Sequence, residues 1–261
     1  LFLLALIWQE AGLFDRMPPM KKLFMVVGMW LVGIASAQAF DLESGEVLRY
    51  DVYWGPLRVG RAQLEYVPQG QFADSKSYVL NARAWDQSSL IDLDDSWRVA
   101  GTHSAKKVFV PGTFDALQKE NKYRADKQLV FNAKKKVITY TNRRDASDKV
   151  APLAWNGDVR DVLSALYAWR VDGEAELARG GTLPVIGVKR PFQLTKQPAV
   201  KETVTVRGEE VPVWRVNITA QTPGKDDAQM WIIRLRRDAT LAPVQAIVQT
   251  KFGTFKLVAT K

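Results

Sequence analysis

Over most of the chain from Glu46 onward, apolar and polar residues alternate with period two. In EVLRYDVYW the side chains of Leu48, Tyr50, Val52 and Trp54 fall on one face and those of Arg49 and Asp51 on the other, as a half-buried strand requires. Gly55-Pro56 turns the chain, and VGRAQLEYV follows with Gly60, Ala62, Leu64 and Tyr66 on one side, so the two runs predict a hairpin. Further alternating runs cover 77–85, 95–101, 105–110, 122–126, 127–132 and 136–141, with turn signals such as Pro111-Gly112 and Asn132 between them. The pattern returns after residue 180 in TLPVIGV, VKETVTVRG, VPVWRVNITA, AQMWIIRL, APVQAIVQT and GTFKLVAT. About fourteen strands exceed what a flat open sheet comfortably holds. The fold expected is mainly β: a large curved antiparallel sheet or incomplete β-barrel.

One segment breaks the rhythm. In DVRDVLSALYAWR, from Asp158 to Arg170, Val159, Val162, Leu163, Leu166 and Tyr167 recur at helical spacing and make one apolar stripe. Asp158 is placed to cap the first turn, Asp161 lies near the positive end of the dipole and Arg170 near the negative end. This predicts a single amphipathic helix packed on the sheet and partly covering its opening. The chain then divides into a β half (40–150), a helical connector (151–181) and a second β half (182–261). No Ser-, Gly- or Pro-rich linker separates the halves, which favours one continuous domain.

The stretch MKKLFMVVGMWLVGIASAQAF, residues 20–40, has Lys21 and Lys22, an apolar run from Leu23 to Ala35, and small residues ending in Ala37-Gln38-Ala39. That order predicts a secretory signal peptide over 20–39, cleaved between Ala39 and Phe40. A bilayer-spanning helix needs about 20 apolar residues, more than this run supplies, so no stable transmembrane span is expected after cleavage. Residues 1–19 read as a non-native upstream extension, with Met20 or Met17 as initiator. The localisation expected is the periplasm. No cysteine follows the cleavage site, so lipoprotein attachment is not expected there.

Cysteine is absent from the 261 residues, which removes disulfides and thiolate chemistry. The net charge of +9 is spread along the chain, with short clusters at Lys134-Lys135-Lys136 and Arg234-Leu235-Arg236-Arg237. Such clusters suit solvated strand edges, and no nucleic-acid-binding motif accompanies them. His103 is the only histidine, and no G-x-S-x-G elbow surrounds a serine. Asp92, Asp94 and Asp95 lack the glycine and terminal glutamate of a calcium loop, so neither a metal nor a cofactor is expected.

Aromatic residues carry the more specific signal. Seven of the nine tryptophans follow residue 39, most at strand positions. On a curved sheet, Tyr50, Trp54, Trp85, Trp97 and Trp231 are the candidate lining of an apolar cavity, with Gly60, Ala62, Ala82 and Ala84 making room. A lipid, an acyl chain or a hydrophobic segment of an envelope protein would suit that space.

Three segments, SGEVLRYDVYWGPLRVGRA, DVLSALYAWR and MWIIRLRRDATLAPVQAIVQTKFGTFKL, resemble in order the exported bacterial proteins grouped as domain of unknown function 3108. The resemblance implies an exported β-rich protein of undefined activity and carries over no catalytic residues. The function expected is therefore non-enzymatic binding or carriage of an apolar ligand or envelope component. The alternatives are a glycan hydrolase with a carboxylate pair facing an open groove, and a structural partner in an envelope assembly.

Overall fold

The computed structural model describes residues 44–72, 75–86, 92–104, 109–155, 159–222, 228–250 and 253–260. The upstream segment, the signal-like segment with its cleavage point, Asp158 and residues 105–108 lie outside the described residues. The first half of the chain supplies β1 (Glu46–Trp54), β2 (Leu57–Phe72), β3 (Ser75–Asp86), β4 (Asp94–His103), β5 (Val110–Glu120), β6 (Tyr123–Asn132), β7 (Val137–Asn142) and β8 (Leu153–Ala154). After β9 (Arg160–Asp161) comes helix α1 (Val162–Leu177), then β10 (Gly181–Ile186), β11 (Pro191–Lys196), β12 (Val200–Val206), β13 (Glu209–Gln221), β14 (Ala228–Arg236), β15 (Pro243–Thr250) and β16 (Gly253–Ala259).

All of these strands belong to one sheet, ordered β8-β7-β6-β5-β4-β3-β2-β1-β16-β15-β14-β13-β11-β10-β9, with β12 also paired to β13. Neighbouring strands pair antiparallel except β9 and β10, which run parallel, and the two halves join where β1 meets β16. The Gly55-Pro56 hairpin forms as the sequence predicts, with Tyr50 opposite Ala62. Pro111 and Gly112 do not turn the chain. They lie inside β5, with Pro111 opposite Gly101 across a register shift that absorbs the missing N–H. The runs 122–126 and 127–132 are likewise one strand, β6. The real reversals use residues with positive φ, as at Asn121 (52°) and at Arg207-Gly208 (53° and 86°), the geometry of tight hairpin turns.

The strand path is open, ending at β8 and β9. Its two ends are joined by side chains. Asp148, between β7 and β8, accepts hydrogen bonds from Tyr140 Oη and Asn142 Nδ2 and pairs with Lys189 of the β10–β11 turn. Partial burial alone would raise the Asp148 carboxyl, but the bonds from Lys189, Tyr140 and Asn142 outweigh it and hold the group down at about 2.

The helix differs from expectation in start and in setting. Asp161 is the N-cap, its Oδ1 accepting from Ser164 N at 3.0 Å. Every residue from Val162 to Arg170 is buried, so this part of α1 is surrounded on all sides and fills the interior, whereas residues 171–176 are partly or fully exposed. Leu163, Tyr167 and Ala168 pack with Tyr50, Ala62, Leu80 and Trp97 of the first half. Val162, Ala165, Leu166 and Trp169 pack with Phe192, Ile218, Trp231 and Ile233 of the second. Each large apolar side chain so buried contributes about 1.5–3 kcal/mol, and this burial holds the two halves around one rod. The apolar stripe is simply the part of this surface that sequence periodicity displays. At Gly173 (φ 75°, ψ −165°) the helical path breaks in a region that only glycine adopts readily.

Candidate functional site

Between α1 and the wall of β1–β4 lies an apolar cavity of about 50 Å³. Val162, Leu163 and Leu166 form its helical side, and Tyr50, Ala62, Leu64, Ala82, Ala84 and Trp97 its first wall. Ile233, Pro243, Ala246 and Leu257 close it from the second half. Period-two pleating puts these residues inward, and the small side chains stand together because Ala62 pairs with Ala84 and Ala82 with Trp97. The space equals about three to five waters' worth, which admits a short alkyl group. A long acyl chain requires α1 to shift, because the helix occupies the volume that an empty barrel would offer.

Tyr50 and Trp97 border this cavity, and Tyr50 Oη donates to Pro243 O at 2.9 Å. Trp54, Trp85 and Trp231 lie elsewhere. Trp54 is half-buried and stacks on Phe255 at 6.1 Å, near the β1–β2 turn. Trp85 has the outward parity of β3, with the Arg83 guanidinium 5.3 Å over its ring. Trp231 is fully buried against Phe192 in the cluster beyond the helix. Gly60 serves close backbone approach, since a Cβ there would meet Trp85 O at 2.5 Å.

One group was not legible as a site. Asp95 and Trp97 of β4, Gln118 and Glu120 of β5, and Lys127 of β6 all have the buried, inward parity of their strands. Asp95 is the partner of the cavity-lining Ala84 and stands two residues from Trp97 on the same face. Asp95 Oδ1 accepts from Lys119 N at 2.8 Å. Burial and the charge of Asp95 push Glu120 up to about 9, and burial raises Asp95 to about 6, with Lys127 opposing both. The two carboxyls thus act on each other's titration. Their contact falls short of hydrogen-bond geometry, and Asp95 Oδ2, both Glu120 oxygens, both Gln118 polar atoms and Trp97 Nε1 have no well-formed partner. The pair is enclosed rather than facing an open groove. Asp92 and Asp94 point outward and pair with Lys119, Arg124 and Arg83.

A third feature fixes the helix. Arg170 makes a two-pronged ion pair with Glu46 at 2.6 and 2.7 Å, donates to Thr240 O at 3.0 Å, and lies 5.0 Å over the Tyr167 ring. Tyr78 Oη and Ser164 Oγ add a buried hydrogen bond of 2.9 Å. His103 stacks on Phe109 at 5.6 Å, and burial, helped by the charge of Lys76, holds its pKa below the ordinary value. Among the described residues no group of three or more His, Cys, Asp or Glu is placed to hold a metal ion, and no helix is long and apolar enough to cross a membrane.

Fold and site together define an incomplete β-barrel closed around its own helix, with a small apolar cavity at the contact. The chain belongs to the family described as protein of unknown function (DUF3108), whose pattern matches residues 49–260. Among solved structures it is similar to a beta-barrel-like protein of domain of unknown function DUF1849 from Brucella abortus. The TM-score is 0.53 at 10% identity, covering 84% of this chain and 97% of that one. No curated protein matches this chain.

Proposed function

We propose that the mature chain is an exported, non-enzymatic binding protein of the periplasm that takes an apolar group into the cavity between α1 and the β1–β4 wall. The supporting observation is the cavity's composition: its helical side is entirely aliphatic, and Trp97 and Tyr50 offer aromatic surface opposite it. The signal-like segment at 20–39 supports export. Short apolar groups enter the existing space, and longer chains or an apolar segment of an envelope protein enter as α1 shifts. A ligand that binds only the folded form raises its stability by mass action. Octan-1-ol titrated into the purified chain is expected to raise Tm and to change tryptophan fluorescence in a saturable way. An unchanged Tm up to the solubility limit of octanol, together with the absence of copurifying lipid, would overturn the proposal.

A further inference from the structure

The polar group at the end of β4–β6 adjoins the cavity-lining residues Trp97 and Ala84, and its chemistry specifies what the other end of the ligand carries. We infer that Asp95, Gln118 and Glu120, with Trp97 Nε1, form a head-group site for a neutral, hydroxyl-bearing amphiphile, such as a vicinal diol or sugar attached to an apolar tail. This rests on the apolar-ligand reading and names the ligand class for the same site.

Geometry supplies the continuity. Trp97 lies on the cavity wall, and Asp95 is the next inward residue beyond it on β4, paired with the cavity-lining Ala84. Gln118 and Glu120 continue the inward face of β5 from Ala116, which pairs with Trp97. A ligand with its tail against Leu163 and Leu166 therefore meets the carboxyl and amide groups as it passes Trp97.

Hydrogen-bonding inventory selects the class. Asp95, Trp97, Gln118 and Glu120 are each 0–2% exposed, and their open positions are mixed: carboxyl oxygens and Gln118 Oε1 accept, Gln118 Nε2 and the indole N–H donate. Buried polar groups of this kind are costly until partnered. A hydroxyl both donates and accepts, so two neighbouring hydroxyls satisfy both kinds. A cation would serve the acceptors alone and would face the charge of Lys127, which already opposes the carboxyls. An anionic head would stand against Asp95 and Glu120. The proton held on Glu120 gives the site a further donor at neutral pH.

The test compares hexan-1-ol, hexane-1,2-diol and hexanoate, followed by the NMR signals of the Trp97 indole N–H and the Gln118 side-chain amide and by calorimetry. The diol is expected to bind about tenfold or more tighter than the alcohol, to move both signals, and to outcompete hexanoate. Gln118→Leu is expected to bring diol and alcohol to within about threefold of each other, with the larger loss on the diol. Should that variant fail to fold, Glu120→Gln, which keeps the shape of the side chain, replaces it and is expected to weaken the diol more than the alcohol. Equal binding of diol and alcohol with unmoved Trp97 and Gln118 signals would overturn the head-group site and leave the apolar site standing. Hexanoate binding as tightly as the diol would also overturn it. Binding of none of the three would overturn both.

Discussion

Glu120→Gln is expected to stabilise the protein, and to do so more strongly as pH rises. In the unfolded chain this carboxyl loses its proton near its ordinary value of 4.5, whereas in the fold it keeps it up to about 9. Between those values the folded state binds the extra proton, so stability is fully present below about 4.5 and falls through the window as pH rises. One titrating group gives a slope on the order of 1.4 kcal/mol per pH unit there. Asp95 adds a narrower window, from 3.8 to about 6. Urea denaturation at pH 5, 7 and 9 should show the wild-type chain losing stability steadily. The variant should lose far less above pH 6, where only the Glu120 window remains open. Parallel pH profiles for the two proteins would mean that Glu120 is ionised and solvated in the folded state. A group that destabilises the fold at neutral pH, and sits beside the cavity, is what a recognition site looks like in stability terms.

Arg170→Met is expected to destabilise by about 3–5 kcal/mol, because it leaves the Glu46 carboxylate partly buried without its two-pronged partner. Arg170 Nη1 and Nη2 bond Glu46 of β1, and Nη2 also bonds Thr240 O of the β14–β15 connection, so one side chain fixes the helix to both halves of the sheet. The double variant Arg170→Met with Glu46→Leu removes the charge together with its partner and is expected to recover most of the loss. Equal losses in the single and double variants would show that packing of the long Arg170 stem, rather than the ion pair, anchors α1.

Much of this fold was legible in the chain, for a physical reason. A strand with one face buried must alternate, and Leu48–Val52 and Gly60–Tyr66 do so, so parity and the first hairpin follow directly. β5 was hidden because Pro111-Gly112 reads as a turn in isolation, and only its neighbours across the sheet keep it extended. Once β5 is in place, Phe114, Ala116, Gln118 and Glu120 become an inward series that passes from apolar to polar. That transition is the sequence signal for the acid pair, and it needs the strand to be visible. The helix was legible as a helix, but the same stripe would serve a helix lying on a sheet or one enclosed by it. Tertiary packing decides between them, and the buried Arg170–Glu46 pair joins residues 124 positions apart. Trp85 and Trp231 show the same limit. Composition marks both as large apolar residues, yet an outward parity and the far side of the helix take them away from the cavity.

The most direct test of the apolar site is the position of a bound tail. A crystal of residues 40–261 soaked with 6-bromohexan-1-ol is expected to show an anomalous bromine peak between Leu163 or Leu166 of α1 and the Ala82, Ala84 and Trp97 surface. Bromine located only on the outer face of the sheet, or absent from the interior at saturating probe, would contradict the account.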